Sequence, residues 1–411
     1  MLYFFVETID SPFLPEEINY THLYYEKIIL IPTVKKSTLY KNFPSNVIVD
    51  NSFSHMVTSK FLVFKFFWLA LVNKRVYQEI SIYLANPYLF LKAFMRTVKF
   101  EILSEILVNW LNKQNISNSE GDKGSSYVFY SFWFNAVLYG LTKSEVTVNG
   151  KIVSRANGYD MFEHRHSPEF FPFRASYIKK VDLIFCSSKA GVNYLQSKYP
   201  ESAEKIHLSY LGVKNRNVID YAPENQSRLI LVSCSSITDV KRVEKIALSL
   251  SLVKDLSLIW YHIGSGRRSR LLKLIRFFRM GKNQQWYFLG QISNDNIHKI
   301  YEDLKPHLFI NLSTSEGGVP VSIMEAARAG IPVLATSVEG NRELVVHRQN
   351  GFLVNPNLSN KELSRIYLEI LKNSESLKSY SKQIRSAFDE SFRSEQNYNN
   401  FINLLKINGV I

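Results

Sequence analysis

The segment 308–354 contains acidic side chains and glycines that could bind a charged ligand. Glu316 and Glu325 bracket a turn that contains Gly317 and Gly318, and this turn joins the apolar run L-F-I-N-L to a helix-forming run. In open parallel sheets, ligands bind beyond the carboxyl ends of the strands. The unpaired N–H groups at a helix start favour an anion there, and glycine lets the backbone approach it closely. The segment therefore predicts a diphosphate site.

The two glutamates indicate a further kind of ligand group. A carboxylate repels a phosphate, but it accepts hydrogen bonds from paired hydroxyls such as those of a ribose or a hexose. The alternative interpretation is that Glu325 is a first-turn glutamate favoured by the helix dipole and that Glu316 is an ordinary loop acid. The residues alone leave both interpretations open.

The elements that must position these residues are short apolar runs that alternate with longer helical segments. A first series includes M-L-Y-F-F-V, K-I-I-L-I-P, N-V-I-V-D, V-F-Y-S-F-W-F, K-I-V-S and D-L-I-F-C-S; a second includes L-I-L-V-S, S-L-I-W-Y-H-I-G, W-Y-F-L-G, L-F-I-N-L, P-V-L-A-T and G-F-L-V. This alternation predicts parallel sheets covered by helices on both faces. The length of 411 residues suits two domains, each of about 150 to 220 residues, and the polar stretch 221–228 predicts the linker.

Composition excludes several classes of protein. With 46% hydrophobic and 21% charged residues, the chain can bury enough apolar surface to fold, so it is not predicted to be disordered. The two cysteines, Cys186 and Cys234, lack the spacing of a zinc site or a disulfide framework, which fits a reducing cytoplasm. The N-terminus is predicted to be a buried strand rather than a secretory signal. The apolar segment 61–72 is shorter than the ~20 residues that a membrane-spanning helix needs.

The net charge of +14 predicts an anionic partner. Residues 51–100 hold seven cations and one acid, and residues 266–282 hold seven cations in a predicted basic amphipathic helix. Such a helix lies on anionic lipid or forms a solvated face of its own domain. Together the two basic regions favour an anionic membrane surface. No readout motif supports a nucleic-acid partner.

The segment from 315 to 345, S-E-G-G-V-P-V-S-I-M-E-A-A-R-A-G-I-P-V-L-A-T-S-V-E-G-N-R-E-L-V, resembles the donor-binding signature of family 4 glycosyltransferases, which are retaining GT-B enzymes that use nucleotide sugars. The pieces R-A-N-G-Y-D, V-K-R-V, H-I-G-S-G and G-Q-I-S-N-D-N-I also resemble that family in order and spacing, so the resemblance covers roughly residues 128–401. It implies an α/β fold of two facing, doubly wound Rossmann-like domains with an interdomain cleft. Residues 1–220 would bind the acceptor, residues 221–385 would bind the nucleotide sugar, and a C-terminal helix over 386–411 would cross back to the first domain.

Carried over to this chain, the resemblance assigns the donor contacts. Glu316 would contact the donor sugar, and Glu325 would hold the ribose hydroxyls. The backbone amides of Gly317, Gly318 and Val319 would meet the diphosphate and the sugar. Eight residues separate the two glutamates here, where the family usually has seven, which implies one extra residue in the turn.

The resemblance also assigns the residues at the leaving group. Lys241, with Arg242, would neutralise the diphosphate, because the bond that breaks leaves negative charge on its oxygen. Asn157 stands where the family commonly has a catalytic histidine, and Ser236 stands at a donor-binding position where an arginine is frequent. No metal site and no cofactor are expected, since the chain lacks an Asp-x-Asp pair and the nucleotide sugar, of UDP or GDP type, is a substrate.

The expected function is retaining glycosyl transfer from a nucleotide sugar to a lipid-linked saccharide in the assembly of O-antigen or capsule. The expected location is the cytoplasm, peripherally on the inner face of the cell membrane. The departures at Asn157, at Ser236 and between the glutamates motivate an alternative: a non-catalytic GT-B subunit that supports an active partner transferase.

Overall fold

A computed structural model describes residues 1–9, 11, 13–34, 43–114, 127–144, 150–216, 228–254, 256–266, 269, 283–373 and 375–411. These residues form two compact units, Met1–Ser209 with Tyr398–Ile411, and Tyr210–Asn397. The sequence analysis placed the boundaries at 220/221 and 385/386. The predicted linker, apart from Arg228, and nearly all of the predicted basic amphipathic helix at 266–282 lie outside the described residues.

The first unit is built on a seven-stranded parallel sheet in the order β3-β2-β1-β4-β5-β6-β7. The strands are β1 Leu2–Val6, β2 Ile28–Pro32, β3 Val47–Val49, β4 Tyr127–Ser131, β5 Gly150–Ala156, β6 Leu183–Cys186 and β7 Ile206–Leu208. Alternate side chains of β1 enter two different cores: Phe4 packs in one and Phe5 in the other. Successive residues of a strand point to opposite faces, so both faces of this sheet are covered, and the predicted N-terminal strand is confirmed.

The helices of the first unit are α1 Leu14–Thr21, α2 Ser52–Val57, α3 Lys60–Val72, α4 Lys74–Ile80, α5 Pro87–Lys113, α6 Ala136–Lys143, α7 Arg174–Tyr177 and α8 Lys189–Lys198. Four of them, α2 to α5, begin within the basic region 51–100. The long helix α5 begins with proline, and the Asn86 side chain caps it by accepting a hydrogen bond from the Leu89 amide. In the described part of the chain, no helix combines the length and the apolar character that a membrane crossing requires.

The second unit is built on a six-stranded parallel sheet in the order β10-β9-β8-β11-β12-β13. Its strands are β8 Leu229–Cys234, β9 Leu258–Ile263, β10 Gln284–Gly290, β11 Leu308–Asn311, β12 Val333–Thr336 and β13 Gly351–Val354. Its helices include α9 Val243–Leu250, α10 Asn294–Leu304, α11 Val321–Arg328, α12 Glu339–Arg342, α13 Asn360–Lys372 and α14 Glu375–Ser391. All six strands lie where the sequence predicted them.

The last helix, α15 Ser394–Ile407, begins in the second unit and belongs to the first unit from Tyr398 onward. Phe401, Ile402 and Leu405 pack in the same core as Phe4.

The two sheets share one topological feature that positions a ligand site. In each, the strand order reverses between the first and the fourth strand, and such a reversal opens a crevice beyond the strands' carboxyl ends.

Candidate functional site

In the second unit, the reversal lies between β8 and β11, and the predicted site residues gather at these two strand ends. Lys241 lies in the loop after β8 and Glu316 in the loop after β11, and the Lys241 Nζ is 2.6 Å from the Glu316 Oε1. The amide of Thr314 donates to the carbonyl of Val240 at 2.8 Å and holds the two loops together. Two residues separated by 75 positions in sequence therefore form a close ion pair at the switch point.

Arg242 has a different environment from its neighbour Lys241. Its Nε donates to the carbonyl of Leu312 at 2.6 Å, and its Nη1 donates to the carbonyl of Pro356 at 2.7 Å. Burial lowers the pKa of this guanidinium from its ordinary value. Arg242 thus links the loop after β11 to the loop after β13. The sequence gives no signal for this role, because backbone carbonyl groups are present at every residue.

The turn at 317–319 exposes backbone donors next to the ion pair. Within the part of the chain that the structure describes, the amides of Gly317, Gly318 and Val319 donate no hydrogen bond. The turn leads directly into α11, whose first amides are also without intrahelical partners. These groups, together with Lys241, can receive an anion with several oxygens.

Gly340 supports this turn from behind, and the sequence analysis did not single it out. A Cβ atom on Gly340 would lie 2.0 Å from the carbonyl oxygen of Gly318 and 3.1 Å from the Glu316 Cβ. Only glycine permits such an approach of two backbone segments. Its only sequence signal is its place in the run V-E-G-N-R-E-L-V, which belongs to the resembling segment but does not by itself indicate a packing constraint.

Glu325 lies in the second turn of α11 and is almost fully buried. Its placement contradicts the interpretation as a first-turn glutamate, because the helix begins at Val321 and has no acid in its first turn. Burial raises the pKa of Glu325 to about 7, and the positive charges of Arg328 and Arg216 oppose this shift. The raised pKa brings the ionisation of this carboxyl group into the neutral pH range. The ionised carboxylate accepts hydrogen bonds from hydroxyl groups, and the protonated carboxyl group can also donate one to a hydroxyl oxygen.

The environment of Glu325 also contains buried polar groups without hydrogen bonds. The Tyr301 hydroxyl and the Arg328 Nε have no partner among the residues that the structure describes, and both residues interact electrostatically with Glu325. Buried polar groups are usually satisfied. Buried groups without a hydrogen bond, next to a carboxyl group with a raised pKa, are expected where a polar ligand binds.

Ser236 is exposed in the loop that follows β8. The neighbouring Ile237 amide donates to the Ser265 carbonyl at 2.8 Å, so this loop runs beside the loop after β9. Gly264 permits the pairing, because it has a φ of +139° and a Cβ there would lie 1.9 Å from the Ser235 carbonyl oxygen. The run H-I-G-S-G is thus explained by close backbone packing next to Ser236.

Asn157 belongs to the first unit, whereas the other predicted site residues belong to the second. It follows β5, and its Nδ2 donates to the Phe132 carbonyl at 2.9 Å. Its Oδ1 is buried and has no partner in the described residues. Asp160 shapes this loop by accepting from the amides of Asn157, Gly158 and Phe134 at 2.7–3.0 Å. Among the described residues there is no group of three or more His, Cys, Asp or Glu side chains placed to hold a metal ion.

Comparison with known proteins finds a family model that matches much of the second unit. Residues 217–387 match the family model described as glycosyl transferases group 1. The O-antigen biosynthesis glycosyltransferase WbnH of Escherichia coli is 29% identical over 182 residues, which cover 42% of this chain and 46% of WbnH. The matched parts span about half the length of the first curated relatives.

Solved structures match nearly the whole chain. Sucrose-phosphate synthase of Thermosynechococcus elongatus superposes with a TM-score of 0.69 at 13% identity, covering 99% of this chain and 98% of that one. Anabaena HepE in complex with UDP superposes with a TM-score of 0.62 at 14% identity, covering 98% and 99%. At these identities the likeness shows the fold alone. The chain has the GT-B fold and resembles the glycosyltransferases of surface-polysaccharide biosynthesis.

Proposed function

We propose that this protein is a retaining glycosyltransferase that moves a sugar from a UDP- or GDP-sugar to a lipid-linked saccharide acceptor in the assembly of O-antigen or capsule. It would work at the inner face of the cell membrane without a bound metal or a resident cofactor. The observation that carries the proposal is the ion pair of Lys241 and Glu316, 2.6 Å apart beside unpaired amides at the switch point of the second sheet. The name of WbnH supports the biosynthetic setting, and the UDP complex of HepE supports a nucleotide ligand.

The arrangement fits the charges of the proposed reaction. When the bond between the anomeric carbon and the diphosphate oxygen breaks, the electron pair stays on that oxygen and positive charge develops on the sugar ring. Lys241 and the amides of residues 317–319 would stabilise the leaving oxygen, because preorganised donors lower such a barrier. Glu316, which forms the ion pair with Lys241, would contact the sugar. In the retained product, the acceptor oxygen is bonded to the same face of that carbon and its proton is released.

Glu325 would recognise the nucleoside half of the donor. Its buried carboxyl group lies in α11, one turn beyond the amides proposed for the diphosphate. A carboxyl group that binds the two ribose hydroxyls suits this position. The selectivity between UDP and GDP would come from other side chains.

The direct test is binding and turnover with a matched control. UDP or GDP at 100 times its dissociation constant should stabilise the protein by about 2.7 kcal/mol. Lys241→Ala should reduce this stabilisation. It should also slow the release of nucleoside diphosphate when the protein is given a nucleotide sugar and a lipid-linked acceptor. Lys254→Ala, an exposed lysine after α9, is the control and should behave as wild type. No stabilisation by any nucleoside diphosphate would refute the proposal. Donor binding without release, across donors and acceptors, would favour the non-catalytic subunit.

A further inference from the structure

An unusual number of large apolar side chains are exposed in one stretch of the first unit. Twelve of them lie between residues 61 and 95. Single exposed apolar residues are normal on a protein surface, but a concentrated set marks an interaction site. This stretch comprises α3, α4, a short 3-10 turn at Ser81–Tyr83 and the N-terminal part of α5.

Helix α3 is apolar on every side but is packed on only one side. Phe66 and Ala70 are buried, and the helix packs against α5. On the opposite face, Phe61, Phe64, Trp68 and Val72 recur at intervals of three, four and four residues, and each is at least 55% exposed. Residues at this spacing lie on one helix face. A helix that is apolar all round is stable in a protein core or in lipid. The outer face of α3 is exposed, so it lacks the apolar partner that such a helix requires.

Large apolar side chains are also exposed in the two segments that follow α3 and α4 in sequence. Ile82 and Leu84 protrude from the 3-10 turn and its end, and both are more than 65% exposed. In the first turns of α5, Tyr88, Leu91 and Met95 again recur at helical spacing and are exposed. Three neighbouring segments therefore present apolar side chains that could enter a hydrocarbon layer.

The charge of this stretch distinguishes lipid from a second copy of the chain. Residues 51–100 hold seven cations and one acid, Glu79. Glu79 is turned toward the protein, because its carboxylate accepts a hydrogen bond from the Phe173 amide at 2.8 Å. A symmetric dimer through this face would bring the cations of both copies together, whereas anionic head groups would complement them. Long lysine side chains can keep their charge at the head groups while the neighbouring apolar side chains insert.

We propose that the outer face of α3, the 3-10 turn and the first turns of α5 form a lipid-inserting surface that enters one leaflet of an anionic bilayer. Phe61, Phe64, Trp68 and Val72 would reach the acyl chains, and lysines such as Lys65 and Lys74 would contact lipid phosphates. The inference rests on the membrane location in the proposed function and names the surface that makes the contact; it does not depend on the donor site.

Trp68 provides a direct probe. Vesicles of phosphatidylcholine with phosphatidylglycerol should bind the full-length protein, and lipids brominated on the acyl chain should quench part of its tryptophan fluorescence. Trp68→Phe should remain bound to the vesicles and lose that quenching. The double variant Phe64→Ser, Trp68→Ser should lower the ratio of bound to free protein by about tenfold or more, because it removes two apolar side chains from the membrane. Pure phosphatidylcholine vesicles should bind the wild type more weakly.

A matched pair of variants controls for general effects of polarity. Ile82→Ser lies in the proposed surface and should weaken vesicle binding, whereas Ile407→Ser, in the last helix and similarly exposed, should not. Stabilisation by a nucleoside diphosphate should persist in all these variants if the donor site is as proposed, and circular dichroism shows separately that they fold. Equal vesicle binding by the wild type and Phe64→Ser, Trp68→Ser, or no bromolipid quenching, would overturn the proposal. A dimer that these substitutions dissociate, without vesicle binding, would assign the face to a second copy.

Discussion

At the scale of single residues, Glu325 combines an expected role in ligand binding with a cost to stability. Its folded pKa is about 7 against an ordinary value of 4.5, because burial disfavours the charged form. The folded state therefore holds a proton more tightly than the unfolded state between these values. The stability that comes from this tighter proton binding is complete below pH 4.5 and is lost as the pH rises through 7, where the buried carboxyl group ionises.

This linkage makes a prediction for Glu325→Gln. At pH 4 the variant and the wild type should have similar free energies of unfolding, while at pH 8 the variant should gain on the order of 3 kcal/mol over the wild type, since it no longer buries a charge. Urea unfolding at both pH values measures the difference. Glu369→Gln, an exposed partner of Arg348, should show no such pH dependence. A constant difference for Glu325→Gln would contradict the raised pKa.

Lys241 should affect chemistry more than stability. Its side chain is only partly buried and pairs with Glu316, and partly exposed ion pairs contribute about 1 kcal/mol or less. Lys241→Met should therefore change the unfolding free energy little but reduce kcat by about 100-fold or more, because a single preorganised donor to a developing anion contributes that much. Steady-state kinetics beside urea unfolding separates the two effects. A variant with full kcat would remove Lys241 from the proposed mechanism.

At the scale of elements, the position of the turn at 317–319 depends on α12. Gly340→Ala should push this turn away, because the new Cβ would meet the Gly318 carbonyl oxygen. We expect a loss of stability of about 1–3 kcal/mol, as for other overpacked sites, and weaker binding of nucleoside diphosphates by calorimetry. Gly290→Ala is the control: its φ is +76° but nothing lies within 4 Å, so it tests backbone strain alone. If both variants bind equally well, α12 does not position the turn.

The same elements show what could be predicted from the sequence. The six strands of the second unit were predicted because each is an apolar run bounded by polar or glycine-containing turns. The strand β7, Ile206–Leu208, has no signal as an apolar run, because the polar His207 interrupts its three residues; the equally short β3 is apolar throughout. The resemblance assigns Lys241 and Glu316 to one donor site but does not predict the ion pair between them. The bracing role of Arg242 could not be predicted, because its partners are carbonyl groups of Leu312 and Pro356 rather than side chains with a sequence signal.

At the scale of the whole molecule, the chain completes its first unit with its last residues. Arg155 and Glu17 form a fully buried ion pair at 3.1 Å. The C-terminal segment covers this pair: the ring of Phe401 lies 4.7 Å from the guanidinium of Arg155, and Tyr398 stacks on Tyr20 at 5.4 Å. A buried pair of charges is tolerated only with such complete surroundings.

Phe401→Ala should consequently destabilise the first unit. The change opens a cavity in a core that contains Phe4, Tyr130 and Phe185, and truncation of a buried phenylalanine costs about 3–5 kcal/mol. Ile407→Ala, in the same helix but exposed, should cost little. Calorimetric unfolding with and without a nucleoside diphosphate gives the readout: Phe401→Ala should lower the melting of the first unit, while the ligand should still stabilise the second. If Phe401→Ala melts like the wild type, then α15 does not complete this core. A cavity costs stability only if Phe401 is packed there in the wild type.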